Sequence, residues 1–568
     1  MNLTLRTRSR ARRRVALIAA AVLTASMAAA CGSGTPSNAA PADLRLSLIV
    51  GLRRDDAGLA ADALNRSSPS AAEYLKWLSP AEMTERFGAS PEHVQGALGV
   101  LQKAGFEGGV DPTGGLLVGT MRAGDAAELF GTAIVQLPFG TSGVLAMPAK
   151  PLTVPKKLAA YATEVIGLVG AIDHDTTTTV PAPADPPPAD PPCPTVKGLG
   201  PKLRAHYRLQ PLIDAGSTGK GVRMAMLEVS PTSQKAVQLF GACRPFKIPP
   251  VTVTAADPST PEAFPSMAIE STLDLIAAAL VSPGLDGIDI YQVNPFAPVA
   301  VGLAAILNTA NGPNGLPALI SLSLGFCEPQ VTDAEIAVSE RVLAGLSAMG
   351  TSVLASTGDF GSSACAPDDL AESVQYPASS PWVTGVGGTS LVETNGQITD
   401  EVAWLVNGNA GGGGRTSRIP RPAFQVDVPI PGNRIVPDVA FVANPANLGP
   451  IPTCDSDNRC TWQINGGTSA TAPGAAGGTA LILQYLASTD GIPRRLGALN
   501  PGLYGVARNR SAAGDSSGGY RDIVSGSNDV HKIGCCSTAP GYDAVTGLGV
   551  MDFWDLAQRL KAVIARPR

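Results

Sequence analysis

From about residue 195 onward, short apolar runs alternate with longer runs of helical periodicity, and this alternation limits the possible folds more than any other feature of the chain. Apolar runs of this length are typical of strands that are buried on both faces of a parallel sheet. The strand-like runs are Val222–Leu227, Ile288–Tyr291, Leu319–Ser323 and Ser352–Ala355, and the helical runs are Ala268–Leu280 and Asp333–Met349. The pattern predicts an α/β fold in which a parallel sheet is flanked by helices.

A serine lies at the start of an apolar helical run that extends to about Leu486. It belongs to the segment 466–473, which reads Gly-Gly-Thr-Ser-Ala-Thr-Ala-Pro. A hydroxyl at a helix N-terminus lies among unpaired backbone N–H groups, which stabilise a negative charge that develops beside it. Ser469 is therefore a candidate nucleophile, and an ordinary N-cap before a buried helix is the alternative.

A serine nucleophile needs a base and a group that orients the base. Glu270 and Asp274 are four residues apart in a helical run, which places both carboxyl groups on one face, one turn apart. The rest of that run is almost all apolar, so two like charges on it favour the sharing of a proton. A third carboxyl group, Asp359, follows a strand-like run, at the strand end where α/β sheets place their sites. The alternatives are a solvated helix face and a plain turn aspartate.

The histidines of the chain do not have the sequence context of a catalytic base. A subtilisin would supply its base from a His-Gly-Thr segment ahead of the serine, and the chain has no such segment. The four histidines are His93, His174, His206 and His531. Each is expected to be a surface or interface residue, which leaves the carboxyl groups as candidates for the base.

The three acidic residues and the serine occur in the order and context of a known family. The Glu-x-x-x-Asp helix, the Ser-x-Gly-Asp-x-Gly loop and the Gly-Thr-Ser-x-x-x-Pro segment resemble the motifs of the sedolisin family, the serine-carboxyl peptidases. Further matches lie at 376–389, 412–414 and 436–439, and the resemblance runs from about residue 74 to the C-terminus. It implies a subtilisin-like fold with Ser469 as nucleophile and Asp359 as oxyanion-hole residue. It also implies that Glu270 is the general base and acid, and that Asp274 orients Glu270 and shares its proton.

The same resemblance implies one structural calcium ion. Segments 522–526 and 539–543 are similar to the calcium loops of the family, and the mixed set of carboxylate and carbonyl oxygens suits Ca²⁺. The implied ligands are Asp522, Ile523, Ala539, Gly541 and Asp543. Ala539 stands where the family usually has glycine, and two cysteines lie in the intervening loop. A pair of turn aspartates is the alternative.

Residues 44–174 are predicted to form a separate small α/β domain, with helices at Pro80–Phe87 and Pro91–Ala104. The segments at 74–88, 127–132 and 148–155 are similar to the activation domain that precedes sedolisin peptidases, which implies a propeptide that inhibits its own enzyme. Residues 175–194 are rich in Thr, Pro, Ala and Asp and lack hydrophobic periodicity, as expected of an extended linker that is open to maturation cleavage. A passive spacer is the alternative. The peptidase domain would then be 195–568.

The N-terminal region is typical of a bacterial export signal, because arginines precede the apolar run Val15–Ala30. Small residues precede Cys31, so residues 1–31 are predicted to be a signal peptide of possible lipoprotein type. A lipidated Cys31 would attach the protein to a membrane, and simple cleavage to a secreted product is the alternative. No later stretch reaches the roughly 18 apolar residues that span a bilayer.

Eight of the nine cysteines remain when Cys31 is set aside, an even number that fits disulfides in an exported protein. Cys454 could pair with Cys460 across a short polar loop, and Cys327 could pair with Cys365. The net charge of −5 is small for 568 residues and gives no sign of a nucleic-acid partner.

These features together predict an exported serine-carboxyl endopeptidase that hydrolyses proteins or peptides at acidic pH and matures from a zymogen by propeptide cleavage. A bell-shaped pH dependence is expected, because Glu270 accepts a proton only while ionised and Asp359 donates one only while protonated. Two alternatives stay open. One is a tripeptidyl-type exopeptidase of the same family, and the other is a catalytically silent surface-binding lipoprotein.

Overall fold

The computed structural model describes residues 38–139, 143–173, 190–194, 199–230, 232–243, 248–256, 268–455, 458–513 and 518–564. The predicted signal region with Cys31, His174 and most of the predicted linker lie outside these ranges. Within them, none of the helices combines the length and the apolar character that a membrane span requires.

The α-helices of these residues are α1 (Asp56–Ser67), α2 (Pro80–Phe87), α3 (Pro91–Lys103), α4 (Ala123–Phe130), α5 (Leu199–His206), α6 (Gln210–Asp214), α7 (Gln234–Cys243), α8 (Ala268–Val281), α9 (Val299–Leu307), α10 (Asp333–Ala348), α11 (Pro445–Leu448), α12 (Thr471–Asp490), α13 (Asn500–Ala513) and α14 (Phe553–Ile564). The strands are β1 (Arg45–Leu52), β2 (Glu107–Val110), β3 (Leu116–Arg122), β4 (Ile134–Phe139), β5 (Gly143–Pro148), β6 (Ala162–Gly167), β7 (Gly170–Asp173), β8 (Arg223–Glu228), β9 (Val251–Ala255), β10 (Gly287–Gln292), β11 (Leu319–Leu322), β12 (Phe326–Cys327), β13 (Ser352–Ser356), β14 (Gln375–Tyr376), β15 (Val383–Thr394), β16 (Gln397–Ala403), β17 (Leu405–Val406), β18 (Asn409–Ala410), β19 (Gly414–Arg415), β20 (Ile435–Val436), β21 (Val439–Val442), β22 (Pro450–Cys454), β23 (Cys460–Ile464), β24 (Tyr520–Arg521) and β25 (Val550–Met551).

The N-terminal unit combines helices with two sheets, of strand order β2–β3–β1–β6 and β4–β5–β7. Helix α2 begins at a capping box, in which Ser79 and Glu82 each accept a hydrogen bond from the other's backbone N–H, with Pro80 in the first turn. The two helices predicted in this unit are confirmed, and the second ends at Lys103.

The second unit is built on a ten-stranded, mostly parallel sheet. Its strand order is β24–β25–β21–β15–β13–β11–β8–β10–β9, and β16 pairs with β15. The four predicted apolar runs are β8, β10, β11 and β13, and they pair with one another in parallel. Strands β11 and β13 are buried along their whole length, which explains why both of their faces are apolar. The predicted α/β architecture is confirmed.

Two helices meet over this sheet, and their close contact positions the candidate site. Helix α12 is buried from Thr471 to Leu483. A Cβ atom at Gly477 of α12 would lie 3.1 Å from the carbonyl oxygen of Ala278 in α8, so the glycine lets the two backbones approach. The first half of α8 carries Glu270 and Asp274, and the turn that holds Ser469 leads directly into α12, so this packing sets the position of one relative to the other.

The N-terminal unit packs on α10 of the second unit through a shared apolar cluster that includes Ile49, Leu59, Val338 and Val342. A buried cation lies at the edge of this contact. Arg341 of α10 forms ion pairs with Asp56 at 2.7 Å and Glu164 at 2.9 Å. It also donates to the carbonyl oxygen of Leu52 at 2.9 Å and to Thr163 Oγ1 at 2.8 Å. The guanidinium group therefore holds α1, β1 and β6 of the N-terminal unit against the second unit.

Two of the disulfides were predicted, and both are confirmed: Cys454–Cys460 and Cys327–Cys365. The structure adds two others, Cys193–Cys243 and Cys535–Cys536. Cys193 lies at the end of the predicted linker, and Asp190 beside it pairs with Lys235 of α7 at 2.7 Å. The last linker residues are thus attached to the second unit.

Candidate active site

Three central strands deliver functional side chains to one edge of the sheet. Glu228 ends β8, Ser323 follows β11, and Asp359 lies three residues after β13. These strands are neighbours in the parallel sheet, and the carboxyl ends of parallel strands lie at the same edge. The edge therefore brings together two acids and a hydroxyl from segments far apart in the chain.

The candidate nucleophile lies in a 3₁₀ turn, Thr468–Ala470, that leads into α12. Gly467 precedes it with φ 120°, a backbone conformation that favours glycine. A Cβ at this position would also lie 2.4 Å from Asp359 Oδ2, so a side chain would collide with the acid. The glycine before the Thr-Ser pair is thus required both by the turn and by the proximity of Asp359.

Hydrogen bonds tie Asp359 to the residue before the nucleophile. Asp359 Oδ1 accepts from the backbone N–H of Thr468 at 2.8 Å and from the Thr468 hydroxyl at 2.9 Å. The N–H of Gly358 donates to Thr468 Oγ1 at 3.0 Å, and φ of Gly358 is 95°, as the predicted tight turn requires. Asp359 thus lies beside the residue that precedes Ser469, and its role in an oxyanion hole stays a prediction.

The predicted acid pair lies on α8, whose other positions are almost all apolar. Asp274 is 1% exposed, whereas Glu270, one turn earlier, is only partly buried. Burial raises the pKa of Asp274 well above its ordinary value, and the charges of Glu228 and Glu270 raise it further. The nearby hydroxyl of Ser323 opposes this rise.

Glu228 is a member of this acidic cluster that sequence reasoning did not identify. It is 2% exposed, and burial raises its pKa to about 8, with the charge of Glu270 as the next cause and a bond with Asp274 opposing it. Among the described residues, neither oxygen of Asp274 nor Oε1 of Glu228 has a hydrogen-bond donor when both acids are ionised. A proton on one of the two acids provides that donor. The available signal was an acid directly after the apolar run Val222–Leu227.

Histidines of the described residues have partners of other kinds. His206 Nε2 bonds to Glu401 Oε2 at 2.8 Å, and His93 Nδ1 bonds to the carbonyl oxygen of Arg53 at 3.0 Å. His531 lies in the loop between residues 527 and 537. The acidic cluster therefore remains the source of a base for Ser469.

The two predicted calcium loops meet. Asp522 Oδ2 accepts from the N–H of Gly541 at 2.7 Å, and Asp543 Oδ2 accepts from the N–H of Ala539 at 3.1 Å. Asp522 Oδ1 is buried and has no hydrogen-bond partner among the described residues, as expected of an oxygen that serves as a cation ligand. The carboxylates fit a hard cation such as Ca²⁺, and the carbonyl oxygens of Ile523, Ala539 and Gly541 lie in the same two loops.

Comparison with protein families gives two matches. Residues 34–170 match the model described as "Pro-kumamolisin, activation domain", and residues 277–496 match the subtilase family. The first corresponds to the N-terminal unit, and the second contains α8 in part, β13, Asp359 and Ser469.

Curated relatives carry peptidase names. Kumamolisin of Bacillus sp. (strain MN-32) is 34% identical over 306 residues, which are 52% of this chain and 50% of that protein. Sedolisin of Pseudomonas sp. (strain 101) is 26% identical over 535 residues, 91% of this chain and 87% of that protein. Tripeptidyl-peptidase 1 of Pongo abelii is 29% identical over 277 residues, 44% of each chain. The chain thus spans half the length of kumamolisin and most of that of sedolisin.

A solved structure supports the fold. Pseudomonas sedolisin complexed with two molecules of pseudo-iodotyrostatin superimposes with a TM-score of 0.54 at 24% identity. The match covers 64% of this chain and 98% of that chain. The subtilisin-like character of the parallel sheet is therefore confirmed.

Proposed function

Because this chain belongs to the sedolisin family of serine-carboxyl peptidases, with an activation domain ahead of its peptidase domain, we propose that it is an acid-active endopeptidase made as a zymogen. The observation that carries the proposal is that the segment of Ser469 is bonded to Asp359, through Thr468, and to Ser323, at the sheet edge where Glu228 also lies. Binding alone does not explain this arrangement, because a binding scaffold has no need of two acids on an apolar helix with a third, Glu228, facing them.

In the proposed reaction, the Ser469 hydroxyl attacks the carbonyl carbon of the peptide bond while Glu270 accepts its proton. The negative charge that develops on the carbonyl oxygen is stabilised by the protonated carboxyl group of Asp359. Glu270 then gives the proton to the departing amine, and the acyl group remains on Ser469. A water molecule, deprotonated by Glu270, releases the acyl group as a free acid and restores the serine.

Acidic pH suits this division of roles. Glu270 has to be ionised and Asp359 protonated at the same time, which requires weakly acidic solution. Burial raises the pKa of Asp274 and of Glu228, so these two acids keep protons under the same conditions. The cluster can then carry one negative charge, placed on Glu270, without a second charge beside it.

The test is to incubate the purified full chain at pH values from about 3 to about 8, which include the ordinary carboxyl pKa values. Its self-cleavage is followed at each pH. The expected result is cleavage in acid within the predicted linker, residues 175–194, and no cleavage of Ser469→Ala. Equal processing of both proteins would favour the silent lipoprotein or a separate maturation protease. Maximal activity near pH 8 would contradict the proposed mechanism.

A tripeptidyl-type exopeptidase is the second candidate, because several relatives are named tripeptidyl-peptidases. The two activities differ in whether the cleft admits chain on both sides of the serine. Cleavage of an internal bond in a peptide with a blocked N-terminus would favour the endopeptidase. Release of tripeptides from free N-termini only would favour the exopeptidase.

We also propose that the loops around Asp522 and Asp543 hold one structural Ca²⁺, which would supply charge compensation for the two carboxylates. The support is the buried, unpartnered Asp522 Oδ1. A chelator should lower the thermal unfolding temperature of the wild-type chain, and added calcium should restore it. A chain whose unfolding temperature is indifferent to both would argue against the site.

The export signal and the lipidation of Cys31 are proposals that rest on the sequence alone. Disulfides in the described residues are consistent with an oxidising compartment. Metabolic labelling with a radioactive fatty acid should mark the wild-type protein and leave Cys31→Ser unlabelled. A product that is unlabelled in both cases and found in the medium would favour simple secretion.

A further inference from the structure

The side-chain amide of Gln375 lies in a gap between two strand ends of the candidate site. A Cβ atom built at Gly325 would lie 2.7 Å from its Oε1, and one built at Gly358 would lie 2.5 Å from its Cδ. Gly325 comes shortly after β11 and Gly358 shortly after β13, and these strands are neighbours in the parallel sheet. A side chain at either position would collide with the amide, so the two glycines leave the room that Gln375 occupies.

The two segments that enclose this amide also hold the turn of the nucleophile. The N–H of Gly358 donates to Thr468 Oγ1 at 3.0 Å. In the segment after β11, the hydroxyl of Ser323 donates to the carbonyl oxygen of Ser469 at 3.0 Å. The amide therefore lies beside the segments that contact the nucleophile and its neighbour, at the same edge of the sheet.

The backbone that carries this amide is held in place from several directions. Gln375 and Tyr376 form β14, which pairs with β12 so that Gln375 lies opposite Cys327. Cys327 in turn forms a disulfide with Cys365. The hydroxyl of Tyr376 donates to Glu340 at 3.0 Å. Such a constrained backbone presents the amide at a fixed place, which lowers the cost of ordering it when a ligand binds.

The amide itself is not used by the fold. Among the described residues, neither its N–H groups nor its carbonyl oxygen forms a hydrogen bond, and Gln375 is only half-buried, so a ligand can reach it. An amide offers both donors and an acceptor. An ionised carboxylate would use only the donors and an ammonium group only the acceptor, whereas a carboxamide or a protonated carboxyl group uses both. The amide thus suits a neutral polar group.

We propose that Gln375 determines the specificity of the peptidase by binding a neutral polar side chain of the substrate residue whose carbonyl group Ser469 attacks. The oxygen of that carbonyl group is the one that Asp359 stabilises in the proposed reaction, and Asp359 directly follows Gly358. Substrate glutamine and asparagine fit, and so does glutamic acid where acidic pH keeps its side chain protonated. The proposal rests on the proposed peptidase function and names its substrate class.

A set of peptides that differ only in the residue before the cleaved bond tests the proposal. The acid-processed wild-type enzyme should cleave the glutamine peptide with about tenfold higher kcat/KM than the leucine peptide, because the former gains hydrogen bonds with the amide. Gln375→Leu should abolish this preference. Its thermal unfolding temperature should stay the same, since the amide forms no hydrogen bond in the described part of the fold. A wild-type enzyme that prefers leucine, or a variant with the wild-type ratio, would overturn the proposal.

Gln375→Glu makes the test sharper, because it keeps the size of the side chain and adds an ionisable group. At about pH 4 the glutamine peptide should stay preferred, and toward about pH 6 the preference should pass to a lysine peptide as the new carboxyl group ionises. The side chains of both peptides do not titrate in this range, so a change in their ratio reports the enzyme. A ratio that does not change with pH would contradict direct contact with the substrate.

Gln397 offers a matched control. It is exposed on β16, where it pairs with Thr394 of β15. Gln397→Leu makes the same chemical change away from the site and should leave every ratio unchanged, whereas an equal effect of both leucine variants would overturn the proposal. Failure of the peptidase function would appear separately, as a wild-type chain that cleaves no peptide of the set.

Discussion

Two buried acidic regions of this protein differ in whether a cation accompanies the acids. Asp438 is fully buried beside Arg434, which donates to both of its oxygens at 3.0 and 2.7 Å. The acid also accepts from the N–H of Gly385 at 2.8 Å and from the Tyr504 hydroxyl at 2.9 Å. Every oxygen of Asp438 therefore has a donor, and the guanidinium group of Arg434 lies beside it as a counter-charge.

The cluster of Glu228, Asp274 and Glu270 is the opposite case. Among the described residues, neither Glu228 nor Asp274 forms an ion pair, and a proton takes the place of a cation. Because burial raises the pKa of both acids, they can keep or release protons as the pH changes. A buried acid that is paired with a cation thus stabilises the fold, whereas buried acids that share a proton at the end of a strand are suited to acid–base chemistry.

The largest expected effect is a loss of catalytic activity that leaves the stability of the fold unchanged. Glu270→Gln and Asp274→Asn should each lower peptide turnover by about 10³-fold, because the base or its proton-sharing partner is lost. The amides are isosteric and need no counter-charge, so the thermal unfolding temperature should not fall. Turnover and calorimetry on the same samples check both parts. If Asp274→Asn is unfolded at room temperature, Asp274 stabilises the fold as Asp438 does, and the proposed difference between the two regions is wrong.

The reverse effect is expected at Asp438. Asp438→Asn leaves the guanidinium group of Arg434 buried without a counter-charge, which should cost about 3–5 kcal/mol of the free energy of unfolding. Urea denaturation in the Ser469→Ala background, where self-cleavage cannot interfere, measures this loss. An unchanged midpoint would show that the buried pair does not maintain the fold.

The pH dependence of stability should separate the regions further. The folded chain holds the proton of Glu228 to about pH 8, whereas an unfolded chain releases it near its ordinary value of 4.5. Raising the pH through this window therefore favours unfolding, so the contribution is full below pH 4.5 and lost toward pH 8. Glu228→Gln should reduce the decline in stability by up to about 5 kcal/mol.

Glu340 provides the control for this prediction. Burial also raises its pKa, to about 7, but its partner is the hydroxyl of Tyr376 at 3.0 Å rather than another acid. Glu340→Gln should flatten the stability curve in the same direction and leave the pH profile of turnover unchanged. Thermal unfolding of both variants, measured from about pH 4 to about pH 8, tests the prediction because this range includes the raised pKa values of Glu228 and Glu340. A profile that Glu340→Gln shifts would contradict the assignment of the cluster.

The smallest effect on stability is expected at the interface between the N-terminal unit and α10 of the second unit. Arg341 is a compensated cation like Arg434, but its partners Asp56 and Glu164 are partly exposed. Arg341→Met should weaken the hold of the propeptide by about 1–2 kcal/mol and speed self-processing at a fixed pH. Arg508→Met breaks an exposed pair with Asp427 and should change nothing measurable. Equal rates for both variants would show that the buried cation does not hold the propeptide.

Local sequence patterns were sufficient for much of the fold. The four apolar runs became parallel strands, and the spacing of Glu270 and Asp274 placed both on one helix face, because strand and helix periods are set within a few residues. Caps act over an equally short range, as the start of α2 at Pro80 shows. The serine at the mouth of a helix was readable for the same reason.

Tertiary structure alone decided which distant groups meet. Glu228 joins Asp274, Ser323 meets the carbonyl of Ser469, and Cys193 bonds to Cys243 only because packing brings separate elements together. No local rule of spacing links such pairs, since their contact depends on strand order and on the close approach of α8 to α12. The sequence by itself thus determined the elements and the chemical groups of the site. The arrangement of those elements decided that Glu228 and Asp274 would lie together in the interior, where a shared proton can balance their charges.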